Sequence, residues 1–481
     1  MKHPQTFTQL RRLLSVSCAL ALTSGCASYQ AMPLASSSAL TDFNQISALF
    51  HHYQQVMPLK AETINPANGL NLTELATLAL LNNPTLNVNR QQYHVAQAQA
   101  FNAGLLPDPQ FSVSADHPNS SVGGLVNAWG LGLSFDINSL LTHYNLKNQG
   151  AKQVEQARLD LLWQEWQVIQ QTKITAVNLY FSEQKLALLQ TLNQSLAKRY
   201  QQSSVGIAQG NVTLATNGTD LSALLDSYSL LKQTKQTLNE QQHQLNKLLG
   251  IDSSVLLTIT PLTNAPNISH DEIITKLAHL AQFRPDLLAL KAGYQAQESK
   301  VRGAIIGQFP AFNLGITKAR DTGNVHTRGF TIGLTLPLFN GNKGAIAIER
   351  ATRQQLANEF SARLLTTKAN VDQLIQLNNI LNAQQRVLAD HLPTLATLLA
   401  NAKKAYANND IDALTFITME STWFNKRLEQ IDLQQAKWQT AISLATLLML
   451  PNELSSTVPN LPSTIMSKPS TLTNTLSPTA Q

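Results

Sequence analysis

Residues 131–137 read LGLSFDI, and residues 332–338, 201 positions further along the chain, read IGLTLPL. In both stretches apolar residues alternate with small or polar ones, which is the pattern of a β-strand with one apolar and one polar face. A similar alternating segment precedes each of them, beginning near Phe111 and Phe312. The sequence therefore predicts four strands per chain, at about 109–116, 128–137, 311–319 and 329–338.

The spacing between the two stretches extends to other parts of the chain. Residues 83–86 (NPTL) and 284–287 (RPDL) also lie 201 positions apart, and each begins a helical stretch rich in Gln and Ala. In both halves two strands, a long helical tract, a break and a shorter helix then follow. Such self-similarity indicates a tandem duplication. We predict two structural repeats, at residues 68–267 and 268–450.

The long helical tracts exceed what a compact domain accommodates. The first, about 140–209, contains no proline, and its 70 or so residues would extend roughly 100 Å as one helix. The second, about 345–408, is expected to kink or unwind locally at Pro393. It has leucines at coiled-coil spacing, namely Leu374, Leu377, Leu381, Leu388, Leu392, Leu395 and Leu399. The predicted fold class is mainly α, with a long coiled-coil helical part and a small β part.

The strands suit a membrane. They have roughly the 9–11 residues that a tilted strand needs to cross a bilayer, and aromatic residues lie at their ends, as in an interfacial girdle: Phe111, Trp129, Phe312 and Phe330. Half-buried strands of a soluble sheet, which alternate in the same way, are the alternative. Four strands are too few to close a barrel, and an unpaired edge in lipid is costly. Transmembrane strands therefore imply a homo-oligomer.

The N-terminus has the features of an export signal. Basic residues precede a short apolar stretch at 13–22, and residues 23–26 (TSGC) follow it. We predict a lipoprotein signal peptide at residues 1–25, with lipidation of Cys26, because this ending resembles a bacterial lipobox. An ordinary signal peptide with an incidental cysteine is the alternative. Residues 26–67 are predicted to be a lipid-anchored extended leader, and residues 451–481 a disordered tail.

Composition argues against several function classes. Only 13% of the 481 residues are charged, against about 25% in a typical soluble domain. The net charge of +6 comes without a basic run, so no nucleic-acid partner is expected. The two cysteines both lie near the N-terminus, and no metal-ligand, nucleophile-elbow or P-loop motif occurs. We predict no enzyme activity, no catalytic residues, no cofactor and no metal site.

The duplicated pattern resembles the TolC-type outer-membrane efflux family over about residues 68–450, and with the lipobox it resembles that family's lipoprotein branch. The most specific pieces are RPDL at 284–287, QFP at 308–310 and GLTLPLFN at 333–340. The resemblance implies a homotrimer, with a 12-stranded barrel in the outer membrane that continues as a helical tunnel through the periplasm. It also implies two partners, a periplasmic adaptor and an inner-membrane pump.

Residues at the far ends of the long helices would then meet the partners. Gly210 and Asn409 lie in the two helix breaks and readily adopt the left-handed conformation that a tight turn needs. Val205, Gly206 and Ile207 resemble the Val-Gly-Leu tip with which the family contacts its adaptor. Thr216 and Thr415 stand where the family often has Asp, so nearby acids are the candidates for the entrance constriction: Asp220, Asp410 and Asp412.

The predicted function is a passive outer-membrane exit duct in a tripartite efflux system. Its cargo, small toxic compounds or metal ions, would be driven by the pump. Two alternatives remain, namely the outer-membrane component of type I protein secretion and a lipid-anchored periplasmic coiled-coil scaffold without a pore. The sequence does not distinguish among metals, drugs, organic acids and proteins as cargo.

Overall fold

The structure is a computed structural model that describes residues 29–34, 40, 44–49, 69–119 and 123–450. The chain divides into two units, residues 1–39 and residues 40–481. The described part of the first unit, residues 29–34, has no regular secondary structure. The predicted signal peptide, Cys26 and the predicted tail lie outside the described residues, as does most of the predicted leader.

The second unit is built mainly of helices. Its first half contains, in order, α1 (Leu72–Asn82), α2 (Pro84–Ala103), β1 (Gln110–Asp116), β2 (Ala128–Asp136), α3 (Ile137–Ala208) and α4 (Leu214–Leu249). Its second half contains α5 (His270–Ala278), α6 (Leu280–Phe283), α7 (Pro285–Ile306), β3 (Ala311–Arg320), β4 (His326–Thr335), α8 (Lys343–Ala407) and α9 (Ala413–Leu448). The predicted fold class, mainly α with a small β part, is confirmed.

Local sequence explains where several elements begin and end. Pro84 and Pro285 occupy the first turn of α2 and α7, where a missing N–H has no consequence. The Asp136 side chain accepts a hydrogen bond from the Asn138 N–H, so α3 begins directly after β2, earlier than expected. Strand β4 ends at Thr335, before the expected residue 338, and Pro337, which has no N–H for a strand ladder, follows.

The two long helices run without a break. With 72 residues, α3 extends about 108 Å, and α8 with 65 residues extends about 98 Å. Pro393 lies inside α8, and the helix continues through it instead of unwinding. The proline removes a single N–H donor, and Leu392 beside it and Leu381 earlier in the helix are both buried. Of the two outcomes expected at Pro393, the local unwinding is wrong, and the kink stays a prediction.

The four strands form one antiparallel sheet in the order β1-β2-β3-β4. The central contact, between β2 and β3, joins the two halves of the chain and pairs Leu133 with Ile316. The sheet has little buried surface. The apolar core lies elsewhere, in clusters where α1 and the α3–α4 pair meet α9, and where α5, α7, α8 and α9 meet.

Candidate functional site

One face of the sheet is apolar and exposed. The register aligns Phe111, Leu133, Ile316 and Phe330 in a row across all four strands. Phe111 is 68% exposed and Phe330 is 90% exposed. A soluble monomer rarely exposes a contiguous apolar surface of this kind, which therefore indicates a partner surface or lipid.

The opposite face carries small and polar residues. The row beside the apolar one consists of Ser112, Gly132, Thr317 and Gly329. A Cβ atom at Gly132 would lie 2.5 Å from the Ser112 Oγ, so glycine leaves the space that the serine occupies. The alternation in the sequence thus becomes a real two-sided sheet, with one apolar and one small polar face.

The outer strands of the sheet have free edges. Within the described residues, β1 pairs only with β2, and β4 pairs only with β3. Each edge therefore presents backbone N–H and C=O groups without strand partners, and these groups favour pairing with another chain.

The first helix–helix turn joins α3 to α4. Gly210 has a φ of 72°, and the Asn211 N–H donates to the Gly206 carbonyl at 2.8 Å. Gly206 also makes room for a neighbour, because a Cβ there would lie 2.4 Å from the Val212 Cγ2. Val205 is 53% exposed beside this turn. Gly210 thus supplies the left-handed residue that the turn requires.

The second turn, between α8 and α9, repeats this geometry 199 residues later. Asn409 has a φ of 62°, and the Asp410 N–H donates to the Ala405 carbonyl at 2.8 Å. Asp412 caps α9 by accepting a hydrogen bond from the Thr415 N–H at 2.6 Å, and this hydrogen bond lowers the pKa of its carboxyl group. Asp410 is exposed at the same turn. The two turns are therefore conformational equivalents.

Asp220 lies in a different environment. Its side chain is 1% exposed and accepts a hydrogen bond from the Arg199 Nε at 2.8 Å. The Arg199 Nη1 also donates to Glu420 on α9 at 2.7 Å, so one guanidinium joins α3, α4 and α9. The structure brings Asp410 and Asp412 together at an exposed turn, but it does not bring Asp220 with them.

Sequence reasoning missed Arg199 and Glu420. Both lie on long helices, and the residues they meet are up to 221 positions away. Their ring neighbours belong to the same cluster, since the Arg199 guanidinium lies 5.8 Å from the centre of the Phe416 ring, which stacks on Tyr406. The available signal was Glu420, which lies among the apolar residues Phe416, Ile417 and Phe424 of α9.

The described residues contain neither a membrane-spanning helix nor a metal site. None of their helices combines the length and apolarity required to cross a bilayer. No group of three or more His, Cys, Asp or Glu side chains there is arranged to hold a metal ion.

Comparison with known proteins supports the same architecture. Residues 277–448 match the family model for outer membrane efflux proteins. The resemblance to the TolC-type outer-membrane efflux family is confirmed. The cation efflux system protein CusC of Escherichia coli K12 is 23% identical over 286 residues. That match covers 56% of this chain and only 62% of CusC.

Solved structures extend the likeness over most of the chain. A crystal structure of CusC aligns with a TM-score of 0.66 at 16% identity, and covers 86% of this chain and 98% of that one. The outer membrane channel CmeC of Campylobacter jejuni aligns with a TM-score of 0.68 at 16% identity, and covers 88% and 94%. At these identities the structural likeness shows that the fold is shared.

Proposed function

We propose that this chain is the outer-membrane channel subunit of a tripartite efflux system, a passive duct for compounds that an inner-membrane pump delivers. One observation carries the proposal most directly: a four-stranded sheet with an exposed apolar face and two free edges, joined to helices about 100 Å long. Such a sheet suits lipid on one face and water on the other.

Assembly follows from the free edges. A membrane sheet must close on itself, because each unpaired backbone group in lipid costs several kcal/mol. Three copies, joined edge to edge between β4 of one and β1 of the next, would form a 12-stranded barrel. The small polar face, with Ser112 and Thr317, would line a wet lumen, and the row containing Phe111 and Phe330 would face lipid.

The helical part would extend into the periplasm and meet the partners at its tips. We place the contact with a periplasmic adaptor at the two turns, through Val205, Gly210 and Asn409, which are exposed. Gly206 is buried and would contribute by shaping the first turn around Val212. Asp410 and Asp412 would form the entrance constriction. Asp220 would join them only if movement of the tips separated it from Arg199.

Metal cations are one candidate cargo, since a relative is named as a cation efflux protein and carboxylates at an entrance favour cations. Type I protein secretion would use the same fold, and a scaffold role would need no pore. Localisation to the outer membrane, with a lipid anchor on Cys26, belongs to the same proposal. A Cys26→Ala variant would be expected to lose the acyl chains and to keep the barrel.

The decisive experiment is conductance. Full-length protein, purified in detergent, is added to a planar bilayer, and we expect discrete, stable current steps. A scaffold without a pore would give none, even at concentrations at which the protein binds the bilayer. To separate drug or metal efflux from protein secretion, a deletion strain is tested for sensitivity to a panel of metals and dyes and for loss of secreted proteins.

A further inference from the structure

Three basic residues interrupt the apolar face of the sheet at one end. Lys318 and Arg320 continue the alternation of Ile316 along β3, and Arg328 does so on β4. The register places Lys318 directly opposite Arg328, and Arg320 opposite His326. This end of the sheet carries the β1–β2 and β3–β4 connections, and the long helices leave from the other end.

These cations have no acidic partner in the part of the chain that the structure describes. None of Lys318, Arg320 and Arg328 forms an ion pair there. The nearby Asp321 stabilises the turn in which it lies. Its Oδ1 accepts hydrogen bonds from the N–H groups of Gly323 and Val325, both at 2.9 Å. Like charges directly opposite each other on a sheet are destabilising, so an external anion would relieve the repulsion.

Arg320 also has a hydrogen-bond donor without a partner. Its Nη2 donates to the Asn127 carbonyl at 2.7 Å, but its Nε is buried without a hydrogen-bond partner among the described residues. A buried donor left unpaired is costly, and a guanidinium is well suited to an anionic oxygen ligand.

The cations adjoin an apolar groove. Lys318 and Arg328 line a groove of about 390 Å³ together with Phe111, Leu133, Ile316 and Phe330. Beyond the cations, the rings of Trp129 and His326 meet edge to face at 6.2 Å, an amphipathic pair of the kind found at membrane–water boundaries. The groove therefore combines an apolar floor with a cationic end.

We propose that this groove binds a lipid with an anionic phosphate headgroup, with its acyl chain on the apolar floor and its phosphate at Lys318 and Arg328. The proposal rests on the proposed function, which places this face of the sheet in lipid. Because the helices extend from the other end of the sheet into the periplasm, the cationic end lies at the outer leaflet. Phosphate matches the site since it accepts several charge-assisted hydrogen bonds at once.

The test uses full-length protein in non-ionic detergent. Diphosphoryl lipid A and lipid A without phosphates are titrated separately, and bound lipid is counted by native mass spectrometry. We expect the wild type to bind the phosphorylated lipid about tenfold or more tightly, with an affinity that falls as salt rises. Excess inorganic phosphate should displace little of it, because free phosphate lacks the acyl contacts.

The variant K318Q/R328Q should lose this preference, whereas K318R/R328K should keep it. The matched control K232Q/K235Q removes two exposed cations of α4 and should behave as the wild type. Equal binding of both lipids by the wild type, or an unchanged preference in K318Q/R328Q, would overturn the proposal. If K318Q/R328Q fails to assemble, the test of the lipid site rests on the wild type alone, namely on its preference for phosphorylated lipid A and on the salt dependence of that binding.

Conductance in phosphatidylcholine bilayers, measured on the same samples, separates the two proposals. If the protein forms channels but binds both lipids equally, the lipid site is rejected and the channel function is retained. A lipid preference without channels would reject the channel function.

Discussion

At the residue scale, Arg199 is the central side chain of the polar cluster near the tips. It is 7% exposed and joins Asp220 and Glu420, which belong to different helices. Arg199→Met would leave two buried carboxylates without their cation, and we expect a loss of about 3–5 kcal/mol in the free energy of unfolding.

Urea denaturation followed by circular dichroism measures this loss. The control Lys426→Met breaks an ion pair with Glu429 in which both side chains are nearly half exposed, so its effect should stay below about 1 kcal/mol. A shift for R199M as small as that for K426M would mean that the buried cluster does not stabilise the fold.

Lys173 makes stability depend on pH. It is fully buried in α3, and burial lowers its pKa from 10.5 to about 8. Between these two values the unfolded chain binds more protons than the folded chain, so the free energy of unfolding should rise with pH across this interval. Below pH 8 the lysine is charged in both states and the cost of burying its charge is fully present.

The variant Lys173→Met tests this directly. It should lack the part of the pH dependence between pH 8 and 10.5 that the wild type shows in urea midpoints. Parallel profiles for the two proteins would show that Lys173 is not the titrating group.

At the element scale, the two faces of β3 should respond differently to charge. Ile316→Arg places a cation on the apolar face, at an expected cost of about 2–4 kcal/mol near the bilayer midplane. Thr317→Arg, the neighbouring change, places the same side chain on the small polar face and should be tolerated. The measurement is the amount of protein recovered in the outer-membrane fraction, and equal recovery of both variants would contradict the assigned faces.

The tip acids can be tested without unfolding the turn. Asp410→Lys with Asp412→Asn changes the charge but keeps the helix cap, because an asparagine oxygen also accepts from the Thr415 N–H. We expect a fall of roughly twofold or more in the cation-to-anion permeability ratio, read from reversal potentials. Asp271→Asn, an exposed acid on α5, serves as the control. An unchanged ratio in the tip variant would remove these residues from the constriction.

The elements differ in how far the sequence predicts them. Strict alternation finds the strands, and the absence of proline over many turns finds α3, because both signals are local. The end of β4 was misplaced, since the alternation continues past the residues that pair and into the segment around Pro337. The Arg199 cluster was missed because its members lie on three helices, and no local pattern encodes their meeting.

At the scale of the whole molecule, the free edges of β1 and β4 predict the assembly. Size-exclusion chromatography with light scattering in detergent should give the mass of three chains. The double variant Val113→Cys/Ile332→Cys has one cysteine on β1 and one on β4. A bifunctional maleimide should cross-link β1 of one copy to β4 of the next, and give products of up to three chains. The single variants should give at most two chains per product. A stable monomer would contradict the proposed barrel.

The edges also bear on how the protein reaches its site. A newly exported copy would cross an aqueous compartment with two unpaired strand edges and an exposed apolar face, and both features promote aggregation. If the proposed barrel is right, a single copy cannot enter the bilayer alone, because its strand edges would meet hydrocarbon unpaired. Association of the copies and membrane insertion would therefore have to occur together. Until then, we expect each copy to be bound by chaperones that keep it from aggregating.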